Sequence, residues 1–321
     1  MSIVGRVSFL KKYMRLNNRI FNLLHKREYA NNRYLGEVIR YTHSVEKGLS
    51  LEEVRLGFGL AKIKEAFSII EKYRQNAGDM HNEVLVMFVD ALKNYLDFHM
   101  RRSFTNSDVE EVQNIYKLLC KYVQNSDDIS SGGTLHIKRS RYTSEERASI
   151  EKLFLNRHSV RDFDGSSVNH EKLRKAVELA MRCPSACNRQ CYRMYVVDRK
   201  KFGLLNKWFD GIGGFADKLD KLVFVTGKIS VYRENEMMQW VVTGSVFASY
   251  LTLAFEAYDI GCCFIQRDVF PNKKWETVAR NLNVEGDEQV VCCLGIGNLK
   301  QEYDVPISHR LSIDTIAKFI E

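Results

Sequence analysis

The stretch Arg157-His158-Ser159-Val160-Arg161-Asp162-Phe163 places two guanidinium groups and a hydroxyl within five residues. Arginine binds phosphate through two parallel hydrogen bonds, and a hydroxyl adds one more donor. The combination therefore suits a phosphate monoester. Alone, such a basic cluster is more often a surface ion-pair patch or a kinase site. The surrounding sequence is therefore needed to tell a phosphate-binding site from these alternatives.

Two further segments accompany this stretch in a fixed order. Thr143-Ser144-Glu145-Glu146 is a capping box that predicts a helix ending at the stretch. After a second predicted helix, Asn169 to Cys183, the loop Pro184-Ser185-Ala186-Cys187-Asn188-Arg189-Gln190 offers small residues and amides to a flat, hydrogen-bonding ligand. Alone, this loop would be an ordinary turn. Near the end, Pro306 to Ser312 is again basic with a hydroxyl, and its alternative reading is a helix N-terminus capped by Ser312.

The remainder of the C-terminal half mixes helix-like and strand-like patterns. Short apolar runs predict buried strands at Tyr192 to Val197, Leu222 to Thr226, Cys262 to Gln266 and Gln289 to Ile296. Pro271 begins a helix predicted to reach Leu282. Trp240 to Tyr258 is apolar with a single charge, which fits either a membrane span or a buried central helix, and its Thr, Ser and Gly residues favour the buried helix. These patterns predict an α+β domain.

The N-terminal half is predicted to be all-helical. No proline precedes Pro184, which suits long helices. A capping box at Ser50 predicts one helix, and further helices are predicted from Asn82 to Met100 and from Ser107 to Val123. The predicted organisation is a helical region over 1–124, a linker over 125–142 and an α+β domain over 143–321.

Positive charge is concentrated at the N-terminus. Residues 1–50 hold ten Lys or Arg and three acids, so they carry +7 of the chain's net +8. A solvated helix face is the ordinary explanation, and nucleic acid, an anionic membrane surface or an acidic protein are the alternatives. No nucleic-acid motif follows, so nucleic acid is not expected. Lys11-Lys12 stand where a signal peptide would have its cleavage site, which predicts a cytoplasmic protein.

The eight cysteines are predicted to be reduced thiols. The adjacent pairs, Cys262-Cys263 and Cys292-Cys293, lie in apolar runs and are interpreted as core residues. Cys183, Cys187 and Cys191 are evenly spaced, but they lack the close pairs of a zinc or iron-sulfur site and Pro184 interrupts them, so no metal is predicted.

Together and in this order, the three segments resemble the FMN-dependent nitroreductase family over about residues 145–321. That family begins with an R-R/H-S-x-R-x-F-like signature, continues with P-S-x-x-N-x-Q and ends with a basic pair before its last helix. Gly261 to Ile265, after the long apolar helix, and Leu294-Gly295-Ile296-Gly297 extend the similarity. The resemblance implies a nitroreductase-like fold, with a central mixed or antiparallel sheet flanked by helices, and a homodimer with FMN at the interface.

The resemblance also implies a set of binding residues. Arg157, Ser159, Arg161 and Arg310 would hold the FMN phosphate and ribityl chain, with His158 and His309 nearby. Pro184, Ser185, Asn188 and Gln190 would line the isoalloxazine ring, from the partner subunit. The backbone at Ile265, Gln266 and Arg267 would face flavin N5. No dedicated catalytic acid or base is assigned.

Some residues depart from the family pattern. Gln266-Arg267 replace a Gly or Glu-Gly, Thr243 replaces an acid early in the central helix, and Cys187, Arg189 and Cys191 are unusual in the flavin loop. The N-terminal half lies outside the common family domain. Its His43-Ser44-Val45-Glu46-Lys47-Gly48-Leu49 segment is similar to an extension of nitroreductase-like proteins from bacterial surface-polysaccharide gene neighbourhoods. His43 and Glu46 could also be a structural i, i+3 pair.

Two functions follow as hypotheses. The first is a flavin-dependent NAD(P)H oxidoreductase, in which NADPH or NADH passes a hydride to flavin N5 and the flavin then reduces a small organic acceptor, in ping-pong fashion. The second is a non-catalytic flavin-binding scaffold or regulator that acts through its basic helical half.

Overall fold

The computed structural model describes residues 3–123, 131–205, 213–265 and 273–320. The helices are α1 (Ile3–His25), α2 (Ala30–Leu49), α3 (Leu60–Gln75), α4 (Glu83–Met100), α5 (Ser107–Leu119), α6 (Ser144–Asn156), α7 (His170–Ala180), α8 (Gln239–Ala257), α9 (Lys273–Asn281) and the short α10 (Ile313–Ile316). The strands are β1 (Tyr192–Asp198), β2 (Lys221–Lys228), β3 (Ile260–Ile265) and β4 (Glu288–Asn298). The predicted change from an all-helical half to an α+β half is confirmed for the described residues.

Helices α2 to α5 pack around one apolar core. Phe88 and Tyr95 of α4 are fully buried there, with side chains from the other three helices. Asn82 caps α4 by accepting a hydrogen bond from the Val84 N–H, and Asn106 caps α5 from the Val109 N–H. The predicted starts of these two helices are confirmed because each has a side-chain oxygen that satisfies a free backbone donor.

The helix predicted to begin at Ser50 does not begin there. Ser50 ends α2, and its N–H donates to the carbonyls of Glu46 and Lys47. The chain then turns through Gly57 and Gly59, both with positive φ, before α3 starts at Leu60. His99 Nε2 accepts the Gly57 N–H at 3.0 Å and Tyr95 Oη donates to the Phe58 carbonyl at 2.9 Å. These contacts with α4 fix the turn, so packing outweighs the local capping pattern.

The strands of the C-terminal half pair antiparallel in the order β1-β2-β4-β3 within the described residues. All four predicted strands are confirmed, with bounds shifted by a few residues. The capping box predicted at Thr143 is also present at the start of α6. Helix α8 crosses the sheet and also packs against α7.

Helix α8 corresponds to the long apolar run. With the turn before it, it is the one helix in the described ranges that is long and apolar enough to cross a membrane, and half of its apolar window is buried in the protein. Trp240, Phe247 and Phe255 of α8 lie in the core beside the sheet. This burial supports the prediction of a buried central helix.

Helix α1 joins the core of the C-terminal half. Its buried side chains, which pack with those of α7, α8 and the sheet, are Leu16, Ile20, Leu23 and Leu24. Arg19 Nη2 donates to the Glu288 carbonyl at 3.3 Å. The two halves of the chain are therefore packed together, although the first has an all-helical sequence pattern and the second mixes helix and strand patterns.

Part of the predicted linker lies against α4. Ser131 donates to Asp90 Oδ2 from its N–H at 2.8 Å and from its hydroxyl at 2.9 Å. A Cβ on Gly132 would come within 2.1 Å of the Met87 carbonyl oxygen. Residues 131–133 are thus held on the helical half, while 124–130 lie outside the described residues.

The segment after α6 is fixed at the edge of the sheet by a large aromatic side chain. Phe163 is 2% exposed and lies over Gly261 of β3 and Gly297 of β4. A Cβ on Gly297 would meet the Phe163 ring at 2.8 Å, and one on Gly261 would meet it at 3.1 Å. Because both neighbours lack side chains, the ring can pack directly on the strand backbones.

Gly297→Ala should therefore destabilise the protein by about 1–3 kcal/mol, since the added methyl displaces the Phe163 ring. The measurement is the free energy of unfolding by denaturant titration. Gly203→Ala is the matched control, because a Cβ there has nothing within 4 Å. Equal stability of the two variants would contradict this packing.

Candidate functional site

The stretch from Arg157 to Asp164 runs along the outer edge of β3. Arg157 ends α6, and its N–H donates to the Leu153 carbonyl. The Val160 N–H then donates to the Cys262 carbonyl at 2.9 Å, and Ser159 forms a parallel bridge with Cys262. Further on, the Asp164 N–H donates to the Asn298 carbonyl at 3.1 Å. The stretch therefore extends the sheet beside β3 and has a fixed backbone.

Two side chains of this stretch, Val160 and Phe163, enter the core, and the others lie nearer the surface. Val160 is 1% exposed, whereas Arg157 and Ser159 are half-buried and Arg161 is exposed. Among the described residues, no carboxylate lies within ion-pair distance of Arg157 or Arg161. Arg161 Nη1 donates to the Ser159 carbonyl at 3.2 Å, and its guanidinium lies 6.0 Å from the Phe215 ring centre. The donors predicted to bind phosphate thus remain available to an anion.

Glu256 of α8 is the acid that interacts electrostatically with Arg157. Burial raises the pKa of Glu256, and the nearby Arg157 opposes that shift. The same burial raises the pKa of the neighbouring Cys262 thiol to about 12. The side of Arg157 that faces α8 is therefore largely shielded from solvent.

The chain after β4 passes this stretch before it becomes exposed. Lys300 Nζ lies 2.5 Å from Asp162 Oδ2. His309 and Arg310 lie further along, in an exposed tail, where Arg310 Nη1 donates to the Ser308 carbonyl. No hydrogen bond or ion pair of the described residues joins Arg310 to Arg157 or Arg161 in one chain.

The loop Pro184 to Gln190 has an unusual backbone. Cys187, Asn188 and Gln190 all have positive φ, at 52°, 56° and 45°. Ser185 Oγ accepts the Gln190 N–H at 3.2 Å, and Gln190 Nε2 donates to Asn188 Oδ1 at 3.3 Å. Left-handed backbone at several non-glycine residues is uncommon and clusters at binding and catalytic sites.

Arg189 holds this loop from the inside. Its side chain is fully buried and pairs with Glu236 through two hydrogen bonds, Nη1 to Oε2 at 2.8 Å and Nη2 to Oε1 at 2.5 Å. Nη1 also donates to the Val231 carbonyl, and the guanidinium lies 4.7 Å from the Tyr232 ring centre. Burial works against ionisation of Glu236, but hydrogen bonding to Arg189 outweighs it and lowers the pKa of Glu236. The sequence marked Arg189 as unusual and did not indicate Glu236.

The two predicted binding segments lie at opposite edges of the sheet. The Arg157 stretch borders β3, while the Pro184 loop leads into β1. Three strand spacings, about 14 Å, separate these edges. No hydrogen bond or ion pair of the described residues joins the two segments within one chain. Ile265 ends β3, and Gln266 and Arg267 lie outside the described residues.

Six of the eight cysteines are buried. Both adjacent cysteine pairs are buried in the sheet, as predicted. Cys183 and Cys191 are also buried, and burial raises the pKa of Cys191 to about 11.

In the His43 segment, His43 Nδ1 lies 3.6 Å from Glu46 Oε2, and Glu46 Oε1 accepts the Gly133 N–H at 3.2 Å. Glu46 thereby attaches residue 133 to α2, a contact that sequence spacing does not reveal.

Comparisons with known proteins find one family model and a set of solved structures that are similar to the C-terminal half of the chain. Residues 155–298 match the model of the nitroreductase family. Solved structures similar to the chain include an FMN-dependent nitroreductase from Clostridium difficile R20291, at 22% identity over 53% of this chain and 99% of that one, with a TM-score of 0.44.

Two others are a nitroreductase-like family protein from Bacillus cereus and a nitroreductase family protein from Streptococcus pneumoniae TIGR4. They share 17% and 18% identity over 57% and 53% of this chain and all of theirs, with TM-scores of 0.45 and 0.44. No curated protein sequence is detectably similar. The matched residues, 155–298, include the Arg157 stretch, the Pro184 loop and the four described strands, so this part of the chain is similar to nitroreductase-family domains.

Proposed function

We propose that this protein is an FMN-dependent oxidoreductase that takes a hydride from NADH or NADPH and passes it to a small organic acceptor. Nitroreductase-family domains are oxidoreductase domains that use FMN with these donors. The observation that carries the proposal to this chain is the Arg157 stretch, where two guanidinium groups flank a serine on a fixed backbone and no carboxylate of the described residues lies within ion-pair distance of either. When bound, FMN supplies the hydride chemistry.

The donor set of the stretch fits the phosphate of FMN. Arg157, Ser159 and Arg161 together offer two forks and a hydroxyl, which match a dianionic monoester. His158 lies between them and is half-buried. Arg310 and His309 would complete the set from the exposed tail. The residues of this site act by binding and orientation, and none is assigned as a catalytic acid or base.

The ring-facing loop is proposed to come from a second copy of the chain. Within one chain the Pro184 loop and the Arg157 stretch lie at opposite sheet edges, so a partner subunit is the simplest source of Pro184, Ser185, Asn188 and Gln190 at the isoalloxazine ring. The site would then be incomplete in a monomer. Gln266 and Arg267, proposed to face flavin N5, are placed there by family resemblance alone.

Exposed apolar surfaces support a homodimer. The exposed positions on α8 are uncharged and lie on one helical stripe: Val242, Ser245, Ser249, Tyr250 and Ala257. On α6, Phe154 and Leu155 are 60% and 75% exposed, and several large apolar side chains of the C-terminal tail are also exposed. Exposed apolar surface of this extent is typical of an interface between chains.

We also propose a cytoplasmic enzyme. The resemblance of the His43 to Leu49 segment supports a role in a bacterial surface-polysaccharide pathway. The acceptor would be a nitroaromatic compound, a quinone, an enone or an intermediate of that pathway.

The purified protein should contain FMN, and NADPH or NADH should bleach its absorbance under anaerobic conditions. Transfer of the electrons to an added quinone or nitroaromatic compound should restore the absorbance. Bound FMN that neither donor reduces would favour a non-catalytic flavin-binding scaffold, and a protein without FMN affinity would exclude both functions.

Removing two of the proposed phosphate donors should weaken FMN binding. Arg157→Ala with Arg310→Ala deletes charge-assisted hydrogen bonds, and we expect FMN affinity to fall by roughly a hundredfold or more. Affinity is measured by fluorescence titration of the apoprotein. Arg174→Ala with Lys175→Ala removes the same charge from exposed sites on α7 and is the control. Unchanged affinity in the first variant would refute the phosphate assignment.

A charge on the α8 stripe should break the dimer and release FMN. Val242 is 53% exposed, so Val242→Glu is tolerated in a monomer but disfavoured in an apolar interface. Light scattering after size exclusion should show a dimer for the native protein and a monomer with reduced FMN content for the variant. Leu118→Glu, on α5, should leave both unchanged. A variant that keeps the native mass and its FMN would show that the interface lies elsewhere.

A further inference from the structure

Helix α1 consists of two halves with different surroundings. Its C-terminal half is docked, with Leu16, Ile20, Leu23 and Leu24 buried in the core beside α7 and α8. Its N-terminal half, from Val7 to Met14, extends beyond that core. The apolar side chains exposed there are Val7 at 44%, Phe9 at 58%, Leu10 at 54%, Tyr13 at 50% and Met14 at 60%. The described part of the chain provides no partner for this apolar surface.

The exposed half is amphipathic. At about 100° per residue, its apolar side chains occupy the arc that continues the docked stripe and the adjoining side of the helix. Lys11, Lys12 and Arg15 are also exposed and occupy the opposite arc of about 100°, on the same side as Arg19 and Lys26. The helix therefore separates a broad apolar face from a basic face.

The first 27 residues supply positive charge without any acid of their own, and Glu28, just beyond them, pairs with Lys26. Residues 1–27 contain seven Lys or Arg and no Asp or Glu, and Glu28 is the first acid. Lysine and arginine on one face with phenylalanine and leucine on the other are the characteristics of helices that lie in the plane of a membrane surface. Their cations attract anionic headgroups, and their apolar side chains enter the boundary with the acyl chains.

We propose that the N-terminal half of α1 docks this protein on the surface of an anionic lipid bilayer. Nucleic acid would use the cations but would leave the aliphatic side chains of Leu10 and Met14 without contacts. A second copy of the chain would use the apolar face but would bring two strongly cationic helices together. A bilayer with anionic headgroups satisfies both faces at once. The helix lies on the membrane without spanning it, and its docked half keeps it attached to the C-terminal core.

The test is flotation of the 321-residue chain, as purified, with vesicles at physiological ionic strength. We expect it to float with vesicles of phosphatidylcholine mixed with phosphatidylglycerol and to stay behind with phosphatidylcholine alone. Lys11→Glu with Arg15→Glu should reduce the bound fraction at least tenfold, and so should Leu10→Ser with Met14→Ser. These side chains are exposed, so the variants should keep native circular dichroism and FMN content.

Matched control variants test whether the effect depends on the position of the changed residues on α1 or only on the change in charge or hydrophobicity. Lys72→Glu with Lys117→Glu makes the same charge change at exposed sites on α3 and α5, and Met100→Ser with Leu118→Ser makes the same loss of exposed apolar surface. Both controls should float like the native protein.

Three results would overturn the proposal. The first is a native protein that does not float with anionic vesicles. The second is flotation that survives Leu10→Ser with Met14→Ser, which would indicate a purely electrostatic contact of the kind nucleic acid also makes. The third is a change of mass in solution for that variant, which would assign the apolar face to a second copy. None of these readouts depends on turnover, so they are independent of the proposed enzyme activity.

Discussion

The candidate site depends on the packing of Phe163 against two strands that have glycine where the ring lies. Gly261 and Gly297 leave the backbones of β3 and β4 bare, so the ring is fully buried directly on the sheet. With Val160 also buried, and its N–H bonded to the Cys262 carbonyl, the stretch has two anchors in the core. Between and before these anchors lie Arg157, Ser159 and Arg161. Their positions follow from a hydrophobic contact, which leaves their polar groups available to bind a ligand.

Much of this arrangement can be predicted from the sequence, for physical reasons. The capping box at Thr143 is a local signal, because the Thr143 hydroxyl and the Glu146 carboxylate each satisfy a nearby backbone donor, and the structure contains it. The short apolar runs predict the strands correctly because central strands are buried on both faces. The order of the three segments predicts a resemblance to the nitroreductase family, and the match over 155–298, which contains the first two segments, bears it out.

The parts that could not be predicted depend on contacts between distant residues. Ser50 carries the same local pattern as Thr143, yet His99 and Tyr95 of α4 hold the following residues in a turn. Likewise, the prediction of an all-helical N-terminal half does not reveal that the buried side chains of α1 enter the C-terminal core. Glu236 has no motif around it, and its role follows only from its two hydrogen bonds to Arg189.

Other long-range contacts connect the helical half to the Pro184 loop. Glu37 of α2 binds Arg233, with Nε to Oε1 at 2.8 Å, and Arg40 Nη2 binds the same carboxylate at 2.8 Å. Burial works against ionisation of Glu37, but these hydrogen bonds outweigh it and lower the pKa of Glu37.

Arg233 and Glu236 belong to one short turn, and Glu236 in turn holds Arg189. Helix α2 also packs directly on residues 186–188 of the loop. A loop with three left-handed non-glycine residues persists only where its surroundings fix it. Helix α2 therefore helps to fix the loop, although α2 lies outside residues 155–298, which match the nitroreductase family model.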